Sequence, residues 1–181
     1  MNATDLVGLV ASNERKLRSR RGTFDVKPLQ RTKPLSEAQV RVIEKRLGYP
    51  LPKLLREVYT TVGGTLAFRW RFKKGMATTF AAKGTWGAEP WGALVIDEPQ
   101  IEETSEGTTY VCFGDDGNGR RYALDYSAKK GPSVVNYDHE GIDDARMVAR
   151  NIETFLAALC KRGFMHVEDD TEQLDTFFAQ P

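Results

Sequence analysis

Residues 35–73 read LSEAQVRVIEKRLGYPLPKLLREVYTTVGGTLAFRWRFK, and their punctuation decides the fold class. Ser36 and Gln39 stand in capping-box spacing, with Leu35 and Val40 placed to close a hydrophobic staple around the same helix start. Val40, Ile43 and Leu47 repeat on one helical face, and Gly48 supplies a left-handed stop. Tyr49-Pro50-Leu51-Pro52 restarts the chain. Pro52 suits a first helical position, and Leu54, Leu55, Val58, Tyr59 and Val62 form the next apolar face up to Gly63-Gly64. From Thr65 the period changes to two. Leu66, Phe68, Trp70 and Phe72 alternate with Ala67, Arg69, Arg71 and Lys73, the pattern of a half-buried strand.

Downstream, strands are expected at 77–82, 93–97, 109–114, 120–126 and 133–138, separated by Gly, Pro and acidic loops. Asp115 to Gly119 reads as a hairpin turn, and Tyr122, Leu124 and Tyr126 share a face of the strand after it. A last helix is expected from an Asn151 cap, with Ile152, Phe155, Leu156 and Leu159 inward and Gly163 as its stop. Two helices, a run of strands and a helix make a segregated α+β order, which argues against a doubly wound nucleotide-binding sheet.

Upstream, residues 4–20 read as a short amphipathic helix with Leu6, Val10 and Leu17 on one stripe. Residues 22–34 read as a connecting arm that packs Phe24 or Leu29 on the body. The expected division is a basic helix and arm over 1–34, a domain over 35–163 that folds alone, and an acidic tail over 164–181 with a turn around Leu174, Phe177 and Phe178. At 181 residues one domain is the natural count. No run of about 18 apolar residues occurs, so no membrane span is expected. Residues 1–10 lack the pattern of a standard secretion signal. Two cysteines, Cys112 and Cys160, are too few for a disulfide scaffold and point to a reducing, cytoplasmic setting.

The formal net charge is only +1, yet the signs are segregated. Residues 1–34 carry eight Lys/Arg against three acids, whereas residues 97–144 carry twelve acids against four Lys/Arg. Such asymmetry bears on partners more than on fold.

Catalytic patterns are missing from the sequence. His139-Glu140 is followed by Asp143 where a zinc protease needs its second histidine. Gly114, Gly117 and Gly119 do not match a phosphate-cradling loop, and no serine-nucleophile motif occurs. Cys112, mid-strand beside Phe113, reads as a small core residue. Asp115, Asp116 and Asn118, with Asp138, Glu140, Asp143 and Asp144, offer hard oxygen ligands, but Asp, Asn and Gly are also what tight turns require, and no metal or other cofactor is expected. Arg15 to Arg21 and Arg69 to Lys74 interleave basic and aromatic residues. Strand alternation explains the second cluster, so nucleic acid is not the expected partner.

The order Leu35-Ser36-Glu37, Ile43-Glu44, Leu47-Gly48, Leu51-Pro52, Gly63-Gly64, then Phe113 to Asp125, Val134 to Glu140 and Phe155-Leu156 resembles the SMI1/KNR4 family, also called the SUKH superfamily, over about 35–160. Gly63 stands where that family carries Asn and keeps a residue tolerant of left-handed backbone. Arg120 stands where it carries Asp. The resemblance implies a single α+β domain with a mixed, mainly antiparallel sheet flanked by helices, no catalytic centre, and a protein-binding role. The partner it implies is a cognate toxin neutralised by a bacterial immunity protein; the alternative is a regulatory scaffold unrelated to toxins. The residues expected to meet a partner are Glu98, Glu102, Glu103 and Glu106, then Asp138, Glu140, Asp143 and Asp144, with Trp86 and Trp91 as a further interaction surface.

Overall fold

The structure is a computed structural model that describes residues 1–19, 24–73, 91–117, 119–127, 131–138, 141–161 and 164. Its elements are helix α1 (Ala3–Ser19), strands β1 (Phe24–Val26) and β2 (Gln30–Arg31), and helices α2 (Glu37–Leu47) and α3 (Lys53–Glu57). Strands β3 (Leu66–Phe72), β4 (Trp91–Glu103), β5 (Thr109–Asp115), β6 (Arg120–Asp125), β7 (Ser133–Asp138) and β8 (Arg146–Ala149) follow, and helix α4 (Ile152–Lys161) closes the series. The strands form one sheet in the order β1-β3-β4-β5-β6-β7-β8, with β2 also on β3, and every pairing described is antiparallel. The α+β class expected from the element order is the one observed.

The helix signals act as read. Ser36 accepts from the Gln39 N–H, the Gln39 side chain accepts from the Ser36 N–H, and Gly48 stops α2 in left-handed backbone at φ 72°. Val40, Ile43 and Leu47 are buried. Glu44 then clamps the restart of the chain: its carboxylate accepts from the Leu51 N–H at 2.9 Å and from Arg56 at 2.6 Å. Pro52 caps α3 rather than opening it, and the expected second helix changes hand-hold after one turn. Val58–Val62 is π-helical, with Gly63 N–H bonded back to Val58 O. The wider turn still buries Val58, Tyr59 and Val62.

Gly63 corrects the expectation of left-handed tolerance, because its φ is 169°, extended backbone open to any residue. Space is what requires glycine there. A Cβ would lie 2.7 Å from the Thr32 carbonyl oxygen and 2.8 Å from that of Thr65.

Residues 22–34 differ more. Within the expected arm, β1 pairs with Phe72 to Trp70 and β2 with Ala67 and Leu66, so the segment edges the sheet. Strands of two or three residues are too short to show a period, which is why sequence reading passes over them. Phe24 does pack on the body, against Trp70 at 5.3 Å, and Leu29 touches the core. Helix α1, expected outside a domain over 35–163 that folds alone, shares the core of that domain. Ala3, Leu6, Val10 and Leu17 are buried in the same cluster as Leu54, Leu55, Phe68 and Phe155. Buried Asn13 donates to the Cys160 carbonyl of α4 at 3.0 Å, and the Ala3 N–H donates to Glu57 of α3 at 3.2 Å. Phe164, beyond the expected domain end, is fully buried and its carbonyl accepts from the Ala93 N–H at 3.1 Å.

The strand expected at 93–97 runs on to Glu103, so residues 98–103 belong to β4 and not to an acidic loop. Pro99 suggests a break because it lacks an N–H. It sits instead in an irregularity between Ile96 and Gln100, where the ladder does not need that donor. The four residues of β8 show no apolar alternation and were not expected as a strand. The expected strand at 77–82, the Gly163 stop and the turn at Leu174 to Phe178 lie outside the described residues.

Leu6 is fully buried between α1 and the rest of the core, so Leu6→Ala is expected to cost about 2–5 kcal/mol, the same range as Leu55→Ala. Denaturant midpoints would measure both. A near-neutral Leu6→Ala beside a costly Leu55→Ala would detach α1 from the folding unit.

Candidate functional site

The helices cover one face of the sheet, and the other face carries its own small apolar cluster. Ala123, Val135 and Tyr137 are buried there, with Tyr110, Cys112, Ile142 and Ala145 packed against them. Ile142 and Ala145 flank a single 3-10 turn, Ile142–Asp144, and their apolar contacts lay that turn over the sheet. Asp143 and Asp144 are exposed on it.

At the end of the sheet, β4 and β5 join through a hairpin held by Thr104 N–H to Thr108 O at 2.9 Å and Gly107 N–H to Thr104 O at 3.0 Å. Glu103 and Glu106 are exposed on it. The Ser105 N–H in this hairpin donates to the Asp143 carboxylate at 2.8 Å. That bond joins two segments 38 residues apart and brings the hairpin carrying exposed Glu103 and Glu106 up to the turn carrying Asp143 and Asp144. Asp138 is exposed at the end of β7, in register with Arg120, and its carbonyl accepts from the Gly141 N–H at the start of the turn.

Two of the expected acids are engaged elsewhere. Glu98 meets Arg46 of α2 at 2.8 Å, where the same guanidinium also donates to the Pro99 carbonyl at 2.9 Å. Glu102 lies on the sheet face away from the helices and binds Arg121 of β6, while the Tyr137 hydroxyl donates to it at 2.8 Å. Glu140 and Trp86 lie outside the described residues. The backbone of Trp91 pairs with Arg71 at the start of β4.

The Glu102–Arg121–Tyr137 network was not expected from the sequence, since its members come from three strands and carry no spacing signal. Burial raises the Tyr137 hydroxyl well above its usual range, and neighbouring Cys112 and the bond to Glu102 add to the shift. Cys112 is raised too, first by burial and then by the Glu102 charge, which is the opposite of what a nucleophilic thiol needs. Burial alone pushes Cys160 up to about 12. At the β5–β6 turn, Asp115 accepts from the Gly117 N–H at 2.6 Å and buried Asp116 accepts from the Arg120 N–H at 3.1 Å. Both carboxylates serve the turn. Among the described residues no three His, Cys, Asp or Glu side chains converge as metal ligands, and no helix is long and apolar enough to cross a membrane.

The SMI1 / KNR4 family (SUKH-1) matches the chain over residues 34–158. No curated protein and no solved structure matches the chain.

Burial raises both thiols, so the folded protein is expected to react more slowly with iodoacetamide at pH 7 than the chain unfolded in urea. Mass spectrometry at timed intervals reads this directly. Rapid native labelling of Cys112 would contradict the environment described for it.

Proposed function

The chain belongs to the SMI1/KNR4 family (SUKH-1), and on that premise we propose that it is a non-catalytic, cytoplasmic protein-binding domain, a bacterial immunity protein that neutralises a cognate toxin. The observation that carries this reading is the Ser105–Asp143 bond, which brings the acidic hairpin and the acidic turn together as a ridge, with Ile142 and Ala145 packed beneath the turn. Among the described residues, Glu103, Glu106, Asp143 and Asp144 are exposed without the cationic partners that engage Glu98 and Glu102, although Asp143 also accepts from the Ser105 N–H.

Fixed exposed charge of one sign speeds capture of a partner of the other sign and excludes like-charged competitors. The complement is a toxin with a basic face, as a nuclease has. Inhibition then follows from covering that face, with no bond made or broken. The raised thiol of Cys112 and the engagement of Asp115 and Asp116 in their turn fit a domain that does no chemistry.

The test is co-expression with a toxin encoded beside this chain's gene, followed by stopped-flow association of the purified pair. Glu103→Lys with Glu106→Lys is expected to slow association about tenfold at low salt and to flatten its salt dependence, with the melting temperature unchanged. Rates that match the unaltered protein at low and high salt would move the interface off the ridge. An isolated gene and an unrelated partner would favour the regulatory scaffold.

A further inference from the structure

Strands β1, β3 and β4 border a cavity of about 350 Å³, with the β5–β6 turn as a further wall. Its lining includes Asp25, Lys27, Arg69, Arg71, Ala93 and Gly117. Phe68 and Leu94 face the helices, so Arg69 and its strand partner Ala93 face the other way. The Lys27 N–H donates to the Arg69 carbonyl at 2.9 Å, which sets the end of β1 alongside β3. A Cβ at Gly117 would stand 3.3 Å from that of Ala93 and 3.5 Å from the Arg69 Nε, so the turn lies directly against this guanidinium. Among the described lining residues, three cations share the cavity with one carboxylate. Asp25 meets Arg71 at 3.4 Å and Lys27 at 3.9 Å, and the cavity keeps an excess of positive charge.

The C-terminal segment leaves the fold at this cavity. The ladder between β4 and β5 ends at Val95 with Asp115, and the Ala93 N–H beyond it donates to the Phe164 carbonyl at 3.1 Å. The Phe164 ring is anchored on Phe68 at 5.2 Å. Position 165 therefore starts beside a residue of the cavity lining. Residues 165–181 lie outside the described residues; their sequence carries Glu168, Asp169, Asp170, Glu172 and Asp175 with no Lys or Arg.

We propose that the cavity is a site for an acidic peptide, and that its occupant is the chain's own segment around Glu168, Asp169 and Asp170. Reach allows this. Neighbouring strands lie about 4.8 Å apart, so about 10 Å separates the Phe164 backbone beside β4 from Arg69 on β3. Four extended residues span about 13 Å, enough to bring Glu168 to Arg69 and the next two carboxylates to Arg71 or Lys27. Guanidinium and carboxylate groups pair through charge-assisted hydrogen bonds, which gives the contact its chemistry. The 74–90 link also joins β3 to β4 next to the cavity, but it carries Lys74 and Lys83 against Glu89 and lacks the complementary charge.

A labelled peptide of sequence 165–176, titrated into the full chain and followed by fluorescence anisotropy, tests the assignment. A tethered segment competes at an effective concentration on the order of millimolar. The unaltered chain is therefore expected to bind the peptide about tenfold more weakly than a chain carrying Glu168→Gln, Asp169→Asn and Asp170→Asn. Adding Arg69→Gln to those three changes is expected to weaken binding about tenfold again.

Circular dichroism and melting temperature establish that each variant is folded, and Lys27→Gln, at an exposed position of the same cavity, replaces Arg69→Gln if that variant is not. Equal affinity with and without the tail changes overturns the proposal. So does affinity that survives loss of the cavity cation in a folded variant, or no binding by the tail-neutralised chain up to about 1 mM peptide. A tail-neutralised chain that takes up a labelled single-stranded oligonucleotide and not the peptide would assign the cavity to nucleic acid and equally overturn it. None of these changes touches Glu103, Glu106, Asp143 or Asp144, so this test and that of the ridge fail separately.

Discussion

The irregularity at Asp97, Glu98 and Pro99 in β4 decides which side of the sheet carries acid. Successive residues of a strand face opposite ways, and an odd slip turns every later side chain over. Leu94 and Ile96, before the irregularity, face the helices and join the main core. After it, Ile101 pairs with core residue Val111, and Glu102 pairs with Tyr110 on the opposite face. Without the slip, Glu102 would be driven toward the helices, where a carboxylate among Leu and Phe side chains costs several kcal/mol. The helix layer holds the slip in place. The Tyr59 hydroxyl donates to the Asp97 carbonyl at 2.7 Å and Arg46 donates to that of Pro99. Opposite, only glycine fits at position 114, because a Cβ would lie 2.0 Å from the Val95 carbonyl oxygen.

What the sequence made legible was what local chemistry enforces. Capping at Ser36, the left-handed stop at Gly48, the Asn151 cap and the alternation through Leu66, Phe68 and Trp70 each act within a few residues, so each can be read from a few residues. The Thr154 N–H donates to the Asn151 side chain at 2.8 Å, as that reading requires. The features that were missed depend on distant partners. β1 and β2 exist because β3 offers them an edge, and Gly63 is glycine because Thr32, some thirty positions earlier, brings its carbonyl within 2.7 Å of where a Cβ would stand. Helix α1 had a visible apolar stripe, but only the fold supplies the surface that stripe covers.

The same division runs through the candidate site. That Glu102, Glu103, Glu106, Asp143 and Asp144 are acidic is plain in the sequence, but their separate fates are not. Glu102 finds Arg121 because β5 lies between their strands, and Glu98 finds Arg46 because α2 crosses β4 at the slip. The meeting of the hairpin and the 3-10 turn rests on one backbone donor, Ser105, and one acceptor, Asp143. No residue type or spacing announces such a contact.

The strand order carries only part of the charge segregation in the sequence into space. The basic N-terminal segment reaches the sheet through β1 and β2 at the β3 end, and the turn bearing Asp143 and Asp144 precedes β8 at the other. On β3, exposed Arg71 pairs with Asp25 of β1 at 3.4 Å, and exposed Arg69 favours the charged form of Asp97 on β4. The two signs meet where β3 pairs with β4, while Glu103 and Glu106 lie beyond the last pair of that ladder, Leu66 with Ile96, despite a formal net charge of +1. A cationic partner within roughly a Debye length, about 8 Å at physiological salt, meets chiefly the near charges. The separation therefore orients an approaching partner before contact, a property that the overall composition conceals.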